Sequence, residues 1–127
     1  MFEKLELIRM AQALASHSGA RMGVIARNVA HADTPGYKAQ DLPAFAKVFA
    51  ADEGAMRATR AGHLSASSDA ATLIPEQAPG RESPNGNTVS LEGEMVKSVE
   101  ARQSHEMALA IYRASSDVIR ASLGRNR

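Results

Sequence analysis

Apolar residues recur at helical spacing in two long stretches, one at each end of the chain, and lose that spacing in between. In residues 3–32, Leu7, Leu14, Met22, Ile25 and Val29 fall close together on a helical wheel. Ile8, Ala15, Met22 and Val29 recur every seven residues, with Ala11, Ser18, Ile25 and Ala32 as companions, which makes a weak heptad seam. Beside it runs a row of small residues: Ala11, Ala15, Gly19, Gly23, Ala26 and Ala30. A glycine inside a helix costs about 1 kcal/mol relative to alanine, and close approach of a neighbouring helix offsets that cost. The pattern predicts one helix over 3–32; the alternative is a break at Ser18-Gly19.

Asp33 to Tyr37 ends that helix. Pro35 cannot continue it and biases Thr34 away from the α region. Pro35-Gly36 suits the centre of a type II turn, because glycine accepts the positive φ required there. Tyr37-Lys38 follows, with two open readings: a ring packed on the helix end, or a docking contact to another subunit. Asn28, in the last turns, either bonds the backbone near the helix end or fixes the turn after it. Leu42, Phe45, Val48 and Phe49 give 39–50 the spacing of a short helix or docking segment. Residues 51–90 are irregular, with scattered Leu64, Leu73, Ile74 and Val89 among Ala, Ser, Gly and Pro. Ser83-Pro84-Asn85-Gly86-Asn87 reads as a turn, and short strands near Leu73-Ile74 or Thr88-Val89 compete with disorder.

Residues 91–123 form the second helix. Ser90 suits its N-cap, Glu92 and Glu94 suit its first turn, and Gly124 suits its stop. Arg120, Arg125 and Arg127 suit the C-terminal end. Its main apolar stripe is Val96, Val99, Met107, Ala110, Ile111, Ala114, Val118 and Ala121. A second stripe, Leu91, Met95, Leu109, Tyr112, Ile119 and Leu123, lies nearly opposite. A surface helix in a monomer needs one buried face, so two faces imply two partners. The expected fold is all-α: one domain over 1–127 in which two long terminal helices pair as a coiled-coil-like core around an irregular middle.

Composition narrows this further. Aromatics are 4% of the 127 residues, so thin helix-on-helix packing fits better than a thick core. The net charge of +1 argues against nucleic-acid binding. Without cysteine there is no disulfide, zinc-thiolate site or thiol nucleophile. No apolar run approaches the roughly 20 residues that span a bilayer, and the charged N-terminus lacks the core of a cleaved signal peptide. Any export therefore follows a route without such cleavage.

Catalytic patterns are sparse. A metal site from His17, His31 and Asp33 would need the helix end to fold back. His105-Glu106 opens a zinc-protease helix motif, but Leu109 stands where its second ligand belongs. There is no nucleophile elbow, phosphate-cradling loop or EF-hand spacing. His63, like the other histidines, reads as a solvated or interface residue, and Asp33, Asp41, Glu100 and Asp117 as ion-pair partners. No enzyme activity, cofactor, metal or small-molecule substrate is expected.

Asn28-Val29-Ala30-His31-Ala32-Asp33-Thr34-Pro35-Gly36-Tyr37-Lys38 resembles the N-terminal signature of the axial flagellar proteins of rod and hook, whose usual form is Asn-x-Ala-Asn-x-x-Thr-Pro-Gly-Tyr. Residues 86–95 and the tail Ala110-Ile111-Tyr112-Arg113-Ala114-Ser115 are similar to the proximal-rod, FlgB-type members. The resemblance covers both helical ends and barely constrains 51–82. His31 stands where the usual form has Asn, and Ser90 where a carboxylate is common. The resemblance implies a structural subunit of the bacterial flagellar basal body, transmitting torque in the periplasmic rod after type III export without signal cleavage. It implies other rod subunits, a FliE-type adaptor, the export gate and the membrane ring as partners in a homo- and hetero-oligomeric helical assembly. The packing positions it suggests are Ala15, Gly19, Gly23, Ile25, Val29, Leu109, Tyr112 and Ile119; the turn positions are Asn28, Asp33, Thr34, Pro35, Gly36 and Tyr37. The rival reading is a soluble helical adaptor or chaperone of a type III secretion system.

Overall fold

In the computed structural model, which describes residues 2–53 and 73–124, two long helices pair and carry a small irregular layer at one end. The elements in order are α1 (Phe2–Ala30), β1 (Gln40–Asp41), α2 (Phe45–Glu53), β2 (Glu76–Gln77) and α3 (Leu91–Ser122). At 1.5 Å per residue, α1 and α3 are about 44 and 48 Å long. Asn28 bonds Glu94, Arg21 reaches Glu100, and the Ala15 carbonyl accepts from His105. Rising numbers on α1 meet falling numbers on α3, so the helices run antiparallel.

α1 passes through Ser18-Gly19 unbroken. The helix gives way to turn after Ala30, and the Thr34–Tyr37 turn follows: the Tyr37 amide donates to the Thr34 carbonyl at 3.3 Å, and Gly36 has φ +73°. That is the hydrogen bond and the positive φ of the expected type II turn. At α3, the Ser90 hydroxyl accepts from the Gly93 amide, and Gly124 takes φ +101° just past the helix end. Arg125 and Arg127 lie outside the described residues.

The seam between α1 and α3 differs from the one expected. The buried positions of α3 are Glu94, Ala101, Ala108 and Ser115, a strict seven-residue repeat of small or polar side chains. On α1 the companion column Ala11, Ser18 and Ile25 faces inward, joined by His17, Val24 and Asn28. The expected main stripe of α3 turns outward: Val96, Val99, Met107 and Val118 are 60, 68, 52 and 48% exposed. Of that stripe only Ile111 is half-buried. Leu109 and Ile119 of the second stripe are half-buried at the seam's edge, and Leu91, Met95, Tyr112 and Leu123 are exposed. The cause is periodicity. A seven-residue repeat keeps one line of side chains on a neighbouring helix, and small residues along it let two backbones come close.

α2 lies on α1 through its phenylalanines. The Phe45 ring meets the edge of His17 at 5.7 Å, Phe49 lies 5.4 Å from Phe45, and the Arg9 guanidinium sits 5.8 Å from the Phe49 ring. β1 and β2 pair antiparallel, Gln40 opposite Gln77 and Asp41 opposite Glu76. The sequence leaves short strands near Leu73-Ile74 or Thr88-Val89 in competition with disorder; the pairing falls on Glu76–Gln77. Thr88 still belongs to this layer, since its amide donates to the Tyr37 carbonyl and its hydroxyl accepts from the Ala39 amide. Leu64 and the rest of 54–72 lie outside the described residues, and with them nearly half of the expected irregular middle.

No atom lies within 4 Å of where a side chain would begin at Gly19 or Gly23. Within one chain, then, nothing approaches the small-residue row closely enough to require glycine. Gly19→Ala and Gly23→Ala should each stabilise the isolated chain by about 0.5–1 kcal/mol, the ordinary helix preference of alanine. Urea denaturation followed by circular dichroism reads this directly.

Candidate functional site

The corner after α1 is held by two buried asparagines. Asn28 has no solvent exposure, and its amide makes four bonds. Its Nδ2 donates to the Gln40 carbonyl at 2.7 Å and to Glu94 Oε2 at 2.9 Å. Its Oδ1 accepts from the Gln40 amide at 3.1 Å and from the Tyr37 hydroxyl at 3.3 Å. Two donors and two acceptors are the full capacity of the group. Asn28 therefore fixes the chain after the turn, one of the two roles its position allowed.

Asn87 does the complementary job. The carbonyls of the turn that follows α1 also need partners. Here the Asn87 Nδ2 group lies 3.0, 2.8 and 2.8 Å from the carbonyls of His31, Ala32 and Thr34. Its Oδ1 accepts from the Val89 amide at 2.7 Å. The loop presenting it is a three-residue connection: the Gly86 amide donates to Ser83, Ser83 donates to Asn87, and Gly86 has φ +80°. That matches a type I turn followed by a left-handed residue, and Ser83, Pro84 and Gly86 occupy its favoured positions. The two glycine turns touch: a Cβ on Gly86 would sit 3.4 Å from Gly36 Cα. The Gly36 amide also donates to the Asn85 carbonyl.

His31, where an asparagine was the usual form, stacks on Tyr37 with centroids 4.7 Å apart, and its Nδ1 lies 3.2 Å from the Thr34 hydroxyl. Lys38 donates to Glu82 and to the Gly86 carbonyl. Tyr37 and Lys38 thus act inside the chain. Asp33, Thr34, Pro35 and Gly36 form the exposed outside of the corner.

A charge cluster ties the corner to both helices. Arg21 grips Asp41 through two bonds of 2.9 Å and lies 3.9 Å from Glu100. Lys97 pairs with the buried Glu94 at 2.9 Å and lies 3.8 Å from Asp41. Burial alone pushes the Asp41 carboxyl up. The Arg21 hydrogen bond, the Leu42 amide and the charges of Arg21 and Lys97 together outweigh it and hold the carboxyl below its usual range. The same hydrogen bond to Asp41 raises the Arg21 guanidinium, against the opposing effect of its burial.

Of the expected packing positions, Ile25 is buried inside the chain, a correction to its reading as a subunit contact. Ala15, Gly19, Leu109 and Ile119 are half-buried, and Gly23, Val29 and Tyr112 are exposed. His17 donates through Nε2 to the Pro43 carbonyl at 2.8 Å, and His105 through Nδ1 to Ala15. Both histidines hold backbone segments in place. An open groove of about 320 Å³ lies beside them, and its polar lining groups His17 and Arg21 are already bonded within the chain. Among the described residues, no group of three His, Asp or Glu is placed to hold a metal ion. The corner clamps, and the unpartnered feature beside it is the outward apolar row of α3.

Asn87, Glu94 and the Arg21–Asp41 pair were not singled out as corner residues from sequence. Asn87 carried a signal, since it closes the Ser83–Gly86 turn and faces the same end of the helix pair as Asn28. Replacing Asn28 by leucine strands the Gln40 amide and carbonyl, the Tyr37 hydroxyl and Glu94. Each buried group left without a partner costs about 1–3 kcal/mol, so Asn28→Leu should lose on the order of 3–5 kcal/mol in urea denaturation. Asp41 predicts the acid limb. Its folded pKa lies below the unfolded value, so the unfolded chain binds the extra proton. Its stabilisation is complete above about pH 4 and drains away as pH falls through the depressed folded value. Asp41→Asn should flatten that part of the stability profile. No family model matches the chain and no curated protein matches it, so its function is argued from this geometry and from the resemblance of the corner motif.

Proposed function

We propose that the chain is a structural subunit of the flagellar proximal rod, of FlgB type, that assembles through its terminal helices and carries torque without catalysis. The observation that carries this reading is the division of labour around the corner. Within the motif Asn28, Tyr37 and Lys38 bond inside the chain, whereas Val96, Val99, Met107 and Val118 stand exposed on the neighbouring helix. A rigid corner at the end of a helix pair with an uncovered apolar row suits a part whose second partner is another subunit. Contacts of that kind, made head to tail, propagate as a helical assembly. The partners in this reading are other rod subunits, a FliE-type adaptor, the export gate and the membrane ring, and export proceeds without signal cleavage. Among the described residues, no helix is long and apolar enough to cross a membrane.

Gly19 gives a clean test. A Cβ there meets no atom beyond its own helix backbone within 4 Å, so Gly19→Leu should leave folding and export intact and block incorporation into detergent-resistant basal bodies. Normal motility with that substitution would overturn the claim that a neighbour packs at Gly19. Fractionation separates the rival, since a soluble adaptor or chaperone stays in the cytosol while a rod subunit copurifies with the basal body.

A further inference from the structure

The outward row of α3 has an order that its exposure alone does not require. Val96, Met107 and Val118 are eleven residues apart, and so are Val99, Ala110 and Ala121, with Gln103 and Ala114 as the third pair. Eleven residues in three turns give 3.67 per turn, close to the natural helix, so the row runs nearly straight along α3. All eight of these residues are exposed. The inner seam of the same helix follows seven. The row is also a palindrome. Reversed about the point between Ala108 and Leu109, Val96 falls on Ala121, Val99 on Val118, Gln103 on Ala114 and Met107 on Ala110. Val96, Gln103 and Met107 then each meet an alanine, and Val99 meets Val118.

The charges beside the row make the same choice. Arg102, Glu106, Arg113 and Asp117 lie on one flank and are exposed; within the chain Arg102 holds Glu106 at 3.2 Å and Asp117 lies 3.9 Å from Arg120, surface pairs that leave room for further partners. Two helices laid antiparallel about a two-fold axis bring this flank against itself, so Arg102 comes opposite Asp117 of the other copy and Glu106 opposite Arg113, within a turn of the same midpoint. Laid parallel about a two-fold axis, this flank would instead face the other flank of the partner helix, and these pairs would not form. We infer that two free copies of this chain pair through the outer face of α3, antiparallel about a two-fold axis near Ala108–Leu109. The occupant is a second copy because the row and its flank complement their own reversal, which an unrelated helix has no reason to match. This pairing is closed, whereas the assembly proposed above is open, and it stands or falls independently of that reading. If both hold, the pair covers the face of α3 until a chain joins the assembly.

The chain has no cysteine, so introduced thiols report without background. The full-length protein at tens of micromolar should show twice the mass of one chain by light scattering. Val99→Cys and Val118→Cys, mixed and mildly oxidised, should cross-link to each other and form few links alone. Glu106→Arg should weaken dimerisation at least tenfold, and adding Arg113→Glu should restore it; helix content by circular dichroism should be unchanged in both. A monomer at that concentration overturns the inference, as does homotypic Val99→Cys linking or a charge swap without rescue. None of these results bears on recovery of the protein in basal bodies.

Discussion

The structure depends on the burial of one amide. At Asn28 the chain has removed from water a side chain that needs four partners, and it finds them on three separate segments: the turn at Tyr37, the strand at Gln40 and the far helix at Glu94. A buried polar group left unpaired costs more than a paired one gains. That asymmetry makes Asn28 a register pin. Sliding α3 by one turn or peeling back the strand strands several groups at once. Glu94 repeats the logic, since its buried carboxylate is held by Asn28 on one oxygen and Lys97 on the other. Such networks specify one arrangement better than they stabilise it. Asn87 supplies the same specificity from the other side by gathering the carbonyls of the turn that follows α1.

The apolar part of the fold is divided between two periods on one helix. A seven-residue column of alanine, serine and glutamate faces α1, and an eleven-residue row of valine, methionine and alanine faces away. A helix 32 residues long can carry both without conflict. The inner column trades volume for close approach, and the outer row keeps the larger apolar side chains uncovered. Burial of the inner surface holds the chain together; a comparable apolar surface remains on the outside of α3.

Much of this was readable in the sequence because local signals decide it. The ends of α3, the turn at Pro35-Gly36, the unbroken α1 and the aromatic docking of Phe45 and Phe49 follow from capping, φ preferences and spacing. The pairing of two long helices follows from amphipathic pattern and length. The inner seam did not, because hydrophobicity ranks Val96 and Met107 above Ala101 and Ala108. What selects the seam is the seven-residue spacing, which keeps Glu94, Ala101, Ala108 and Ser115 in one line against the column of Ala11, Ser18 and Ile25. The corner was half readable. Asn28 stood out through its motif, but its partners lie up to 66 residues away and belong to no local pattern. The strand pair falls on Glu76–Gln77 because backbone bonds to the corner, and not side-chain propensity, place it.

Both asparagines lie at one end of the molecule, and that placement divides the bonding along it. Polar bonds concentrate where α1 ends, whereas further along the helix pair Ala101, Ala108 and Ala11 give a thin apolar contact. A thin contact yields little burial per residue, so the corner rests on a dense set of polar bonds and the rest of the pair mainly on close apolar contact. Covering the outer row of α3 adds apolar burial where the chain itself supplies least. The chain is thus fixed in its geometry at the corner and leaves Val96, Val99, Met107 and Val118 exposed on α3. The bonds that set the fold and the face open to contact therefore lie on different surfaces: the Asn28 amide has no bond to spare, whereas the outer row stands in water.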